Sequence, residues 1–281
     1  VFLPNIVSKE ELYRVTTSLY RIAKHSLTLP CHLKETEEVV HRNMRMGIGI
    51  TGYAMATEEQ REWLSDCYKH LREYDVLYSK EHGFNTSIKL TTVKPSGTLS
   101  LLAGVTSGGH PAYAPYYIRR MRVSADSNMI DTYRNHGYHV ECAKNMDGTD
   151  NYTTKVVSFP CKFPEHSLFA ENMSAIDQME VVKRLQTDWS DNAVSVTIYY
   201  RKEELPNIRK WLEENYATSV KTMSFLLHSD HGFLQAPLEQ ITKDVYLDMV
   251  KDTRPITVLS VKENDISSDQ IGCEAGVCPI K

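Results

Sequence analysis

Apolar residues recur at helical spacing in some stretches of this chain and alternate with polar ones in others. The two patterns take turns from one end to the other. Ser8-Lys-Glu-Glu11 has the form of a capping box, and Leu12, Val15, Leu19, Ile22 and Ala23 follow it at helical spacing, so that face is expected to pack inward. His25 and His32, near the far end, are expected to be surface or structural residues. Asn43-Met-Arg-Met-Gly-Ile-Gly-Ile-Thr-Gly52 reads as a strand whose glycines let something approach the backbone. It lacks the further spacing and the acidic residue of a dinucleotide fingerprint. A second capping box, Thr57-Glu-Glu-Gln60, opens a long helix with Trp63, Leu64, Cys67, Tyr68 and Leu71 on one face and Gly83 as its stop.

The alternating run Ser87-Ile-Lys-Leu-Thr-Thr-Val93 then leads into Lys94-Pro-Ser-Gly-Thr-Leu-Ser-Leu-Leu-Ala-Gly104. Strand, small-residue turn and helix start is an arrangement that aims free backbone N–H groups at an anion. Pro95 sets the turn, Gly97 admits a close backbone approach, and Ser96, Thr98 and Ser100 add hydroxyls. On these residues alone the segment is a cradle for a phosphate or carboxylate, or an ordinary helix cap. Thr106-Ser-Gly-Gly-His-Pro111 is a second turn able to wrap a ligand.

Further on, strands are expected over 117–124, 138–143 and 153–159, with a helix over 125–136 ended by Gly137 and a turn at Asp147-Gly148. Ser174 caps a helix carrying Ile176, Met179, Val182, Leu185 and Trp189. Residues 193–200 are rich in β-branched and aromatic side chains and form the clearest strand. A polar helix over 202–215, a strand over 219–227, a loop over 228–232 and a last helix over 238–250 complete the pattern. No internal repeat stands out. Strands alternating with helices argue for an α/β sheet or barrel. The domain expected over 1–250 gives way to a mobile, polar and acidic tail over 251–281.

Composition narrows the class. Of 281 residues, 41% are hydrophobic and 24% charged, and 32 Lys and Arg stand against 36 Asp and Glu for a formal net charge of −4. Nothing here marks a nucleic-acid or membrane surface. No apolar run approaches the ~20 residues of a membrane span. A cytoplasmic enzyme is the default expectation. Val1-Phe-Leu-Pro-Asn-Ile carries no initiator Met and reads as the middle of a longer protein.

Cys31, Cys67, Cys142 and Cys161 lack paired spacing and read as small residues in a reducing compartment. Cys273-Glu-Ala-Gly-Val-Cys278 differs, because two thiols flanking a flexible turn can close a disulfide. A dithiol on a mobile arm suits thiol–disulfide exchange. Half of a zinc site is the competing reading, but the tail holds no further Cys or His, and no metal site is expected.

These features resemble ribonucleotide reductase. The resemblance rests on residues 94–100, on His110-Pro-Ala-Tyr-Ala-Pro-Tyr-Tyr-Ile-Arg-Arg120 and on Asp191-Asn-Ala-Val-Ser-Val-Thr-Ile-Tyr-Tyr200. Ser229-Asp-His-Gly-Phe233 with Gln235-Ala-Pro237 and the closing residues 273–281 carry it further. The branch indicated is the adenosylcobalamin-dependent ribonucleoside triphosphate reductases, and the match covers the C-terminal portion of that enzyme. The fold this implies is α/β, the second half of a ten-stranded α/β barrel with a flexible C-terminal tail. Ser96, Gly97 and Thr98, assisted by Ser100, would hold the phosphates of a ribonucleoside triphosphate. Cys273 and Cys278 would re-reduce an active-site disulfide and be reduced by thioredoxin. The cofactor implied is adenosylcobalamin. The radical cysteine, its carboxylate neighbour and the disulfide partners would precede Val1, so a missing N-terminal portion is an expected partner. The alternative is a non-catalytic nucleotide-binding module whose tail docks on a redox partner.

Overall fold

Ser8 begins the first helix, α1 (Lys9–Ser26), and its hydroxyl accepts the Glu11 N–H at 3.2 Å. Thr57 begins α3 (Glu58–His82) with a complete capping box through Gln60, and the helix stops at Gly83, whose φ is +70°. Between them lies α2 (Lys34–Asn43), which the sequence pattern did not reveal. It buries no side chain, so no apolar stripe marks it; Met44, at φ +45°, ends it. The computed structural model describes residues 1–145, 147–227 and 234–257. They form two units. One takes Val1–Ile118, 161–227 and Leu238–Thr242, and the other takes 119–145, 147–160, Leu234–Pro237 and 243–257.

The buried side of α1 is not the one its apolar spacing marks. Leu12 is buried, but so are Thr16, Tyr20 and Lys24, whereas Leu19 and Ile22 face solvent. The cause is a polar row on α3. The Thr16 hydroxyl lies 3.3 Å from Cys67 Sγ, and the Tyr20 hydroxyl donates to Asp75 at 2.7 Å. The Lys24 ammonium donates to Asp75 at 2.9 Å, to the Ser87 hydroxyl at 2.9 Å and to the Asn85 carbonyl at 2.7 Å. Asp75 also accepts from the Ser79 hydroxyl and the Ser87 N–H. Every charged atom in this buried cluster is matched, which is the condition for burying an ion pair at all.

Five extended segments of the first unit lie side by side and parallel. Phe2 bridges Thr51, β1 (Ile48–Gly49) pairs with β2 (Thr91–Thr92), Val93 bridges Val194, and β6 (Thr197–Tyr200) pairs with β7 (Ser224–Leu227). The regular strands are thus shorter than the runs expected at 43–52, 87–93, 193–200 and 219–227. The row does not close into a barrel among the described residues. Buried strands of this kind need cover, and α1, α3 and α6 (Ala175–Asp188) supply it with Leu64, Leu71, Met179, Val182 and Leu185 packed in one core. Ser174 caps α6 as its sequence indicates, and the structure adds a full capping box through Asp177. The polar helix α7 (Leu205–Ser219) is longer than its pattern and buries Ile208 and Trp211.

Only a four-residue helix, α4 (Leu99–Leu102), follows the 94–98 loop. In the second unit β4 (His139–Lys144) and β5 (Asp150–Lys162) run antiparallel, with β3 (Tyr116–Ser124) on the far side of β5 and α5 (Met129–Asn135) between β3 and β4 in sequence. The Gln235 amide extends this unit by accepting from the Lys144 N–H at 2.8 Å and donating to the Cys142 carbonyl at 2.9 Å.

The single helix expected over 238–250 is corrected. Leu238–Gln240 is a strand, β8, and the helix α8 covers Lys243–Asp252. The Ile241 N–H donates to the Tyr116 carbonyl, a tertiary pairing that overrides local helical spacing. The loop expected over 228–232 and residues 258–281 of the expected tail lie outside the described residues.

Removing one side of the Lys24–Asp75 pair leaves a buried charge without its partner. Lys24→Met should cost about 3–5 kcal/mol in urea unfolding, and Lys24→Met with Asp75→Leu should cost less than the sum of the single changes. Burial pushes the Asp75 carboxyl upward, but Lys24, Tyr20 and the Ser87 N–H together hold it below its ordinary value. The stability it contributes is therefore complete above its unfolded value near 3.8 and is lost as pH falls through the lower folded value. Acid unfolding of the wild type should show this loss, and the double variant should not.

Candidate functional site

Loops that leave the C-terminal ends of parallel strands gather where open α/β sheets bind ligands. Here the segments ending at Thr51 and Val93 release two such loops, and one hydroxyl ties them together. Thr51 Oγ1 donates to the Thr106 carbonyl at 3.1 Å and accepts from Ser96 Oγ at 2.9 Å and from the Gly108 N–H at 2.7 Å. The loop packs so closely that a Cβ on Gly108, at φ +50°, would sit 2.2 Å from the Lys94 carbonyl oxygen. Ser96 itself is left-handed at φ +44°, a conformation non-glycine residues seldom adopt and one that collects at binding sites.

The four loop residues singled out in the sequence are placed unequally. Gly97 and Thr98 are exposed, and among the described residues their N–H groups have no protein acceptor. Ser96 is half-buried, with its hydroxyl engaged by Thr51 and the Lys94 carbonyl. Ser100 is buried, 3.3 Å from the Ser107 hydroxyl. A Cβ on Gly97 would meet only Ser107 Oγ at 3.9 Å, so crowding inside the protein does not demand glycine there. A helix of four residues has little dipole of its own. What the loop offers an anion is therefore its free N–H groups and the exposed side chain of Lys94.

His110 closes the site from the other turn. Its Nε2 accepts the Thr197 N–H at 3.2 Å, so Nδ1 must carry the proton that faces the Ser107 carbonyl at 3.2 Å. Burial lowers the imidazole pKa, with the Ser107 carbonyl opposing, and both ring partners fit the neutral form. Thr51, Gly108 and His110 were not singled out as site residues. Their signals were a glycine-rich strand ending at Gly52 and the turn at 106–111, which locate a close approach but do not say that the two meet.

Comparison with known proteins follows the same residues. The family description "Ribonucleotide reductase, barrel domain" matches residues 68–226. The chain belongs to the ribonucleotide reductase family. It is 32% identical to the adenosylcobalamin-dependent ribonucleoside-triphosphate reductase of Euglena gracilis, a match taking in 96% of this chain and 38% of that protein. The protein of the same description from Lactobacillus acidophilus is also 32% identical, over 88% of this chain and 38% of its own length. A crystal structure of a B-12 dependent (class II) ribonucleotide reductase superposes with a TM-score of 0.78 at 28% identity, covering 86% of this chain and 38% of that one. The chain thus spans well under half the length of these reductases.

Among the remaining candidates, the four cysteines in the described residues stand in no disulfide there. Cys67 is buried, and burial pushes its thiol up to about 11. Cys273 and Cys278 lie outside the described residues, as does the 229–233 motif. No group of His, Cys, Asp and Glu suited to a metal ion occurs among the described residues, and no helix among them is long and apolar enough to cross a membrane.

Two outcomes test the geometry. Thr51→Val removes one donor and strands two others, so it should cost about 1–3 kcal/mol and speed amide exchange across 96–108. Because the folded pKa of His110 lies below its unfolded value near 6.5, stability should fall as pH drops through 6.5 and level off below the folded value. His110→Gln should remove that segment of the pH profile, read by thermal unfolding between pH 5 and 8.

Proposed function

We propose that this chain is the phosphate-loop and reductant-relay portion of an adenosylcobalamin-dependent ribonucleotide reductase that converts ribonucleoside triphosphates to their 2′-deoxy forms. The observation that carries it is the match, over 96% of the chain, to a reductase of that description. The five parallel segments support the finer reading that they are the second half of a ten-stranded barrel, with the other half supplied from outside this chain.

In this reading Ser96, Gly97, Thr98 and Ser100 serve the substrate's phosphates. The N–H groups of Gly97 and Thr98 donate directly, and Ser96 and Ser100 hold the loop. The reaction expels the 2′-oxygen as water and takes two electrons and two protons from a pair of thiols, which become a disulfide. The Cys273–Cys278 dithiol returns those electrons by exchange, leaving as a disulfide that thioredoxin reduces. Adenosylcobalamin supplies the initiating radical when bound to the complete enzyme. The open cleft of about 360 Å³ beside Trp189 and Asp191 is too small for a corrin with its side arms. No residue of this chain is assigned to that group, and no step is derived through it. In this reading none of Cys31, Cys67, Cys142 and Cys161 is the radical cysteine, which is supplied from outside this chain.

The chain mixed with the N-terminal portion of a related reductase should form deoxynucleotide in the presence of adenosylcobalamin and thioredoxin. Ser96→Ala should raise KM for the triphosphate, and Cys273→Ser or Cys278→Ser should abolish multiple turnover with thioredoxin. Those cysteine variants should keep a single turnover and turnover with a small dithiol. Equal loss with both reductants would refute the relay. Binding of triphosphate without any deoxynucleotide formed would favour a non-catalytic binding module.

A further inference from the structure

Across the β4–β5 hairpin, Cys142 and Lys155 stand directly opposite each other, the last pair in register before the bulge between Cys142 and Ala143. Side chains opposite on an antiparallel pair share one face of the sheet and lie within reach of each other. Here the Lys155 ammonium donates to Cys142 Sγ at 3.0 Å. Both residues are half-buried, and Cys142 stands in no disulfide among the described residues. Nothing in the reductase reading uses this pair.

The surroundings hold the amine and the sulfur together. The main chain at Cys142 is pinned, because its carbonyl accepts from the Gln235 amide at 2.9 Å and the Lys144 N–H donates to Gln235 Oε1 at 2.8 Å. The Lys144 ammonium is taken by Asp150 at 2.5 Å, whereas Lys155 makes no ion pair among the described residues. Its amine is left to the sulfur. Cys67 is arranged differently: it is fully buried, and its sulfur meets the Thr16 hydroxyl. An amine fixed this close to a sulfur acts at a high effective concentration on any electrophilic form of that sulfur. A sulfenic acid is such a form, and it condenses with nitrogen.

We propose that a hydroperoxide converts Cys142 and Lys155 into a covalent sulfenamide cross-link between β4 and β5. The Cys142 sulfur attacks one peroxide oxygen, so that an S–O bond forms as the O–O bond breaks. The displaced hydroxide takes the thiol's proton and leaves as water. Lys155 Nζ, its ammonium proton lost to solvent, then attacks the sulfenic sulfur, and an N–S bond forms as the S–O bond breaks. The departing oxygen takes a proton from the nitrogen and leaves as a second water. The sulfur is oxidised by one electron pair and the peroxide is reduced. A thiol reverses the link by attacking the sulfur and releasing the amine. The cross-link is independent of the substrate reading, because no residue of the 94–110 loops takes part in it.

The full chain should be treated with hydrogen peroxide, alone or together with dimedone to trap sulfenic acid, then digested without reductant and read by mass spectrometry. The expected product is a pair of peptides joined through Cys142 and Lys155, lighter by two hydrogens than the separate peptides and released by dithiothreitol. Lys155→Arg keeps a cation beside the sulfur but offers no amine to attack it. That variant should give no joined peptides, and dimedone should label its Cys142 about tenfold or more above the wild-type level. Cys142→Ser should lose both signals. The proposal is overturned if the wild type yields no Cys142–Lys155 peptide pair, if Lys144 is joined to Cys142 as often as Lys155, or if dimedone labels Cys142 equally in the wild type and in Lys155→Arg.

Discussion

Parallel strands leave their backbone groups unsatisfied where they begin, and in this chain one short segment answers for three of them. The Asp191 carboxylate accepts the Leu90 N–H just ahead of β2 while holding Arg72 and Tyr68 of α3. The Asp191 N–H donates to Thr91 Oγ1 at 3.0 Å, and that hydroxyl donates on to the Trp189 carbonyl. Asn192 reaches the Met46 carbonyl at 3.1 Å and the Thr91 carbonyl at 2.7 Å, spanning the start of β1 and β2 before the chain turns into the segment that becomes β6. The Trp189 indole N–H closes the set on the Thr92 carbonyl. A buried backbone without these partners would cost about 1–3 kcal/mol per group.

That clamp has consequences at both ends of the row. At the far end, Thr51 and Val93 release their loops from strands already fixed in register, so a single Thr51 hydroxyl suffices to bind the two loops together. At the near end, the inward turn of the Asp191 carboxylate leaves its backbone carbonyl to accept from the Lys221 ammonium.

The helices are joined to the row by the same economy. Cys67 and Asp75 on α3 receive Thr16, Tyr20 and Lys24 of α1, and Leu64 and Leu71 on the same helix enter the core with Leu12. The polar contacts set which face of α1 turns inward, and the apolar area beside them supplies the driving force. Exposed Leu19 and Ile22 show that helical spacing of apolar residues was outweighed there by satisfied polar partners.

The sequence alone was enough for the capping box at Thr57, the cap at Ser174, the stop at Gly83, the α/β alternation and the family, because each depends on neighbours within a few residues or on motifs kept intact along the chain. It also drew attention to residues 94–100 and 106–111. The tertiary structure alone decided that these turns meet through Thr51, that His110 is held neutral between Ser107 and Thr197, and that 238–240 pairs as strand instead of continuing a helix. It alone showed α2 and the inward face of α1. For α2 the reason is that it buries no side chain and so carries no apolar stripe; for the others it is distance along the chain. A hydrogen bond between residues 45 to 125 positions apart leaves no periodicity in the sequence, and a buried polar side chain looks exposed until its partner is known.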